Sequence, residues 1–151
     1  MNGQPVHLDW YWRFALEWGM VNVLIRQGDP LTALVRAERL CDLTAQTDER
    51  AWQAFAWEAR ARAALSCGDA SEASDHVANA LAACEGVQAP LAEWRAHGTA
   101  AMTYKALGDV SRAGTHDRLG AAVRRRLAES LPEGHALRVR FERRSEQLST
   151  P

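Results

Sequence analysis

Five histidines (His7, His76, His97, His116 and His135) and three cysteines (Cys41, Cys67 and Cys84) are the side chains of this chain best able to ligate a metal or act as nucleophiles. A zinc site needs ligands that converge, for example at i, i+4 on one helix or in Cys-x-x-Cys pairs. No such spacing occurs here, and His116 and Asp117, being adjacent, face different directions on a helix. No metal and no cofactor are therefore expected. A phosphate loop, a GxSxG elbow, a nucleotide fingerprint and a spaced His/Cys or His/Ser pair are all missing from the sequence. Acidic residues are dispersed, and Asp48-Glu49 falls at a helix start, where it offsets the dipole. The chain reads as a non-enzyme. The thiols, odd in number and flanked by apolar helical sequence, read as small buried groups in a reducing cytosol.

Charge narrows the classes further. The 151 residues carry a formal net charge of −1, too little for a strong field toward nucleic acid or anionic lipid. From Ser111 onward nine Arg face five acidic residues, and Lys105 is the one lysine of the chain. The basic tail (Arg124, Arg125, Arg126, Arg138, Arg140, Arg143 and Arg144) has Phe141 as its single aromatic and no groove-reading motif. It reads as a solvated face on a closing helix rather than a nucleic-acid footprint. Residues Met1 to Asp9 lack a basic segment followed by an apolar one, so no secretory signal is expected. No run of eighteen apolar residues exists, and a cytoplasmic location without membrane contact is expected.

The elements that must position these side chains are announced by a repeat. Gly-Asp occurs at Gly28-Asp29, Gly68-Asp69 and Gly108-Asp109, spaced 40 residues apart, with Ala33, Ala73 and Ala113 at the same offset after each. His76 and His116 recur at the same period. Self-similarity of this length marks a stacked helical array. Each Gly can end a helix in the left-handed conformation, and each Asp can cap the next. Asp69 and Glu72 have capping-box spacing, and Pro30 fits a first helical turn. The segmentation predicts helices over roughly 9–27, 30–46, 49–67, 70–85, 90–107 and 110–131, with a closing helix over 135–148. The fold class is all-α, in one domain covering 1–151 with repeats over 9–46, 49–85 and 90–131. Apolar stripes run along the second helices: Ala33, Ala37, Leu40 and Leu43; Ala73, Val77, Ala80, Leu81 and Cys84; and Ala113, Leu119, Val123 and Leu127. One pair cannot bury its stripe alone, whereas stacked pairs can.

These residues resemble the tetratricopeptide repeats. Trp57, Ala61, Ala64, Gly68 and Ala73 match that family's pattern of a bulky residue, small crossing residues, turn and small residue. Ala101, Tyr104, Gly108 and Ala113 match in the third unit, with His97 at the bulky position. Val21, Leu24, Gly28 and Ala33 match in the first, where Glu17 departs from the pattern. The 40-residue period exceeds the family's unit of about 34, so each helix should be about a turn longer. The Ala- and Arg-rich form is similar to C-terminal arrays of bacterial signal-transduction ATPases and transcription activators. The resemblance implies a right-handed stack of three helical hairpins, a tetratricopeptide-like α-solenoid with a C-terminal capping helix.

It also implies a concave groove lined by the first helices, here presenting Trp18, Asn22, Glu58, Arg62, Arg95, Met102 and Lys105. Arg62, Arg95 and Lys105 would clamp an acidic group of a protein or peptide partner. The alternative is pairing along their own helices, as Glu58 with Arg62 at i, i+4. The function implied is a protein-interaction adaptor or scaffold in bacterial signalling or regulation. A ligand-sensing regulatory domain of a transcription activator or signalling ATPase is the second reading. The first helix is apolar on nearly every face, and an array's end helix normally has a polar outer side. Trp10, Tyr11, Trp12 and Phe14 are therefore expected to mediate a homodimer, unless residues 1 to 9 fold back over them or Trp10, Trp12 and Trp18 complete the first unit's core.

Overall fold

A computed structural model describes residues 9–147, with side chains described for 10–140 and 142. His7, Leu148, the suggested covering by residues 1 to 9 and the side chains of Phe141, Arg143 and Arg144 lie outside that description. Among the described residues there are seven α-helices and no strand: α1 (Asp9–Gln27), α2 (Pro30–Ala45), α3 (Arg50–Ser66), α4 (Ala70–Cys84), α5 (Pro90–Ala106), α6 (Val110–Glu129) and α7 (Ala136–Gln147). No described helix is long and apolar enough to cross a membrane.

The repeated turns fold alike. Gly28, Gly68 and Gly108 take φ of 78°, 86° and 77°, a region that favours glycine. Each following Asp donates its N–H back to the helix just ended, to Leu24, Ala64 and Tyr104 carbonyls at 3.0, 3.0 and 2.9 Å. The Gly N–H groups bond to Ile25, Leu65 and Lys105, completing a Schellman motif at each turn. The Asp side chains then accept from the N–H groups of Thr32, Glu72 and Arg112 at 3.2, 2.8 and 2.9 Å. The expected capping box at Asp69 is only half formed. The Asp69 N–H is committed to Ala64, and the Glu72 carboxylate bonds to His76 Nε2 at 3.1 Å instead.

Each even-numbered helix packs against the odd-numbered helices on either side of it, α1 packs on α3, α3 packs on α5, and α7 touches α6. Among the described residues the backbones of α1 and α5 do not approach one another, nor do those of α2 and α4. Alanine makes the close approaches possible: Ala33 and Ala37 of α2 pack on Ala59 and Ala63 of α3, all fully buried around Val21. Leu40 and Cys41 of α2 pack with Phe14 and Ala56, and Ala61, Val77 and Ala100 join α3, α4 and α5.

Two expectations need correction. Leu119, placed in the third buried stripe, is exposed, and the inward position belongs to Gly120. Gly120 stands 80 residues after Leu40 and 40 after Ala80, both buried. A Cβ at Gly120 would meet the His97 Cβ at 3.4 Å, so α6 lies close against α5 at this position. The cysteines are also unlike one another. Cys41 is buried and Cys84 half-buried, but Cys67 is exposed because it caps α3 at the rim of a turn.

Candidate functional site

The 40-residue register lines up equivalent positions on α1, α3 and α5, and five of the seven groove residues meet there. Glu58 is the centre. It is buried on α3 below the surface, a costly place for a carboxylate unless it is paired. Three groups pair it: Thr99 Oγ1 of α5 donates at 2.9 Å, Arg95 Nη2 lies at 3.3 Å and Arg62 Nε at 2.9 Å. The Arg62 Nε–H points away from the oxygen, so that contact is Coulombic rather than a directed hydrogen bond. Arg62 Nη2 donates instead to Asn22 Oδ1, exactly one period earlier on α1. Asn22 Nδ2 donates to the Trp18 carbonyl at 2.7 Å, and the Arg95 guanidinium lies 4.9 Å over the Trp18 ring. A cation–π contact of this kind is worth about 0.5–2 kcal/mol.

The network leaves positive charge in excess. Arg62 and Arg95 face one carboxylate, and Arg26, exposed on α1, is close enough for its charge to act on Arg62. Burial lowers the Arg62 pKa most; Glu58 opposes this, and the charges of Arg95 and Arg26 add to it. The guanidinium stays protonated, since arginine does not lose its charge in proteins. Arg62 and Arg95 keep 21% and 29% of their side-chain surface exposed.

Two groove residues stand apart. Met102 occupies the register position of Asn22 and Arg62 and is exposed, with no polar part in the network. Lys105 is bonded to Asp117 of α6 at 3.2 Å, so its charge is already matched and it does not extend the arginine cluster. The i, i+4 pairing of Glu58 with Arg62 exists, but as one edge of a network across three helices. Thr99 and Arg26 were absent from the expected groove. Thr99 recurs 40 residues after Ala59, so nothing in the pattern distinguishes it from a core position.

The aromatic set on α1 divides. Phe14 is 2% exposed, packed at 5.9 Å centroid distance on Trp52, and has no surface to give a partner. Tyr11 is edge-on to Trp52 at 5.5 Å, whereas Trp12 stands 63% exposed. Beside them Trp10, Arg13, Phe14, Leu43, Gln46 and Thr47 line a cleft of about 310 Å³ between α1 and α2.

At the helix crossings the register is filled by three different chemistries. Glu17 of α1 pairs with Arg36 of α2 at 3.0 Å, which explains why an acid stands where a bulky residue was expected. Trp57 packs on His76 at 5.5 Å in the second unit, and His97 bonds to His116 at 2.9 Å in the third. Among the described residues no three His, Cys, Asp or Glu side chains converge as metal ligands. No family model matches this chain, and no match was found among curated proteins or solved structures.

Proposed function

We propose that the chain is a tetratricopeptide-like interaction module, a right-handed stack of three hairpins closed by α7, that receives an acidic peptide or helix across α1, α3 and α5. It acts as a non-enzymatic adaptor in the cytoplasm of a bacterium, in signalling or regulation. The observation that carries this reading is the pairing of Arg62 and Arg95 with a single buried carboxylate, with Arg26 close enough for its charge to act on Arg62. Glu58 holds two guanidiniums in place, and the surplus charge is directed outward. Such preset forks suit carboxylates, which take two parallel N–H donors.

The test is a titration with an Asp/Glu-rich peptide and a neutral peptide of the same length. Binding should favour the acidic peptide, weaken with salt, and fall about tenfold in Arg26→Ala and further in Arg62→Ala. Arg26 is exposed, so its variant should not disturb folding. Equal affinity for the two peptides, or unchanged binding by both variants, would overturn the proposal.

The α1–α2 cleft favours a second reading, a ligand-sensing regulatory domain. Its apolar walls and Arg13 would suit a small amphiphilic anion. A concentration-dependent rise in Tm with such compounds, lost in Arg13→Ala, would select that reading.

A further inference from the structure

We infer that the outer face of α1 (Trp12, Leu16, Met20 and Val23) is a dimerisation surface, on which α1 of a second copy packs about a twofold axis. The inference does not depend on the groove. It rests on what the 40-residue register does to these four positions elsewhere. On α3 they are Trp52, Ala56, Arg60 and Ala63, the alanines fully buried and the other two half-buried. On α5 they are Ala92, Ala96, Ala100 and Thr103, all 1% exposed or less. On α1 the same positions are 63%, 69%, 41% and 45% exposed, although they carry larger apolar side chains.

What covers them on α3 and α5 shows what the α1 face is shaped to receive. Leu40 and Cys41 of α2 lie over Ala56, and Val77 and Cys84 of α4 lie over Ala100 and Ala92. The occupant is therefore an apolar helix face. The described helices present two faces for stacking, one on α1 and one on α6. At the α6 end, Ala37 and Val77 are replaced by Asp117, and Thr44 and Cys84 by Arg124. Asp117 is exposed and bonded to Lys105, and α7 packs on α6. Head-to-tail stacking would bury Asp117 against Met20 and Arg124 against Trp12, which is costly for both charges.

The α1 face meets no such penalty against its own copy. An isologous contact pairs apolar with apolar and closes after two subunits. Gly19 lies between Leu16 and Met20 in sequence, and a Cβ there would meet nothing within 4 Å, so the two helices can approach closely at their crossing.

The test is sedimentation velocity of the full chain from about 1 to 100 µM, a range that brackets dimers of micromolar Kd. The wild-type chain should pass from monomer to dimer and stop there. Leu16→Glu and Trp12→Ala should each weaken dimerisation by about tenfold or more while keeping the far-UV circular dichroism of the parent. Ala121→Glu on the exposed α6 surface should leave it unchanged. A monomer throughout the range would overturn the inference, whether the face is then covered by residues 1–8 or by another protein. Open-ended growth, or dissociation by Ala121→Glu, would overturn it in favour of head-to-tail stacking.

Discussion

The Nδ1 atoms of His97 on α5 and His116 on α6 stand 2.9 Å apart, so one ring donates and the other accepts. Two N–H groups cannot face each other at that distance, and the doubly protonated pair is excluded from the folded protein. Burial lowers the His97 pKa, aided by the charge of His116 and opposed by Glu93; burial also lowers that of His116, opposed by Asp117. Tyr104 stacks on His116 with 5.4 Å between ring centroids, and the Arg112 guanidinium lies 5.3 Å from the Tyr104 ring.

This relationship fixes a pH dependence. Both histidines bind a proton more readily unfolded, where the ordinary value is 6.5, than folded. The unfolded state gains protons first as pH falls, so stability is intact above that value and declines below it. Thermal unfolding from pH 7.5 to 5 should show Tm dropping below about pH 6.5. His116→Gln should flatten that decline. An equal decline in wild type and variant would assign the effect to other groups.

Glu58 should matter more to stability than any surface charge. Glu58→Ala leaves Arg95 and Thr99 without their shared acceptor and Arg62 without its counter-charge, and losing one partner of a buried pair typically costs about 3–5 kcal/mol. Both arginines retain some solvent contact, so about 2–3 kcal/mol is expected here. Glu58→Gln, which keeps an acceptor for Thr99, should cost less. Urea unfolding midpoints of the three proteins measure the order; an Ala variant as stable as the parent would contradict it.

Two glycines should respond to alanine with opposite signs. Gly68 has φ of 86°, so Gly68→Ala forces a Cβ into a strained backbone and should destabilise by about 1–2 kcal/mol. Gly98 lies inside α5 with nothing within 4 Å of its would-be Cβ. Gly98→Ala should stabilise by about 0.5–1 kcal/mol through helix propensity. Paired thermal melts decide both signs.

The three thiols should react in a fixed order. Cys67 is exposed at the end of α3 and should be alkylated first. Burial pushes the Cys84 thiol up to about 11 and the Cys41 thiol up to about 12, so little nucleophilic thiolate exists at neutral pH. Timed alkylation followed by peptide mass analysis should find Cys41 protected until the chain unfolds. Rapid labelling of Cys41 under native conditions would show that α2 opens locally.

The helices and their turns were legible in the sequence because their signals are local. Gly28, Gly68 and Gly108 set the left-handed stops, and Asp29, Asp69 and Asp109 set the starts, each through atoms a few residues away. The period likewise aligned Asn22 with Arg62, because a repeated interval along the chain becomes a neighbour across helices. Partnership was another matter. Glu58 could be assigned to Arg62 from i, i+4 spacing, but Arg95 and Thr99 reach it only because α5 packs on α3. Leu119 and Gly120 changed places for the same reason: apolarity placed the leucine inward, whereas it is Gly120 that faces α5, with the His97 Cβ 3.4 Å from where its own Cβ would stand.

The sequence by itself determined where helices begin and end, since capping and backbone conformation depend on adjacent residues. Only the tertiary structure decided which charges are spent within the fold and which face outward. Electrostatics and packing act across gaps that no spacing along one helix encodes, so the surplus of arginine over carboxylate at Glu58, and which side of the apolar α1 stays uncovered, emerge only once the helices are side by side.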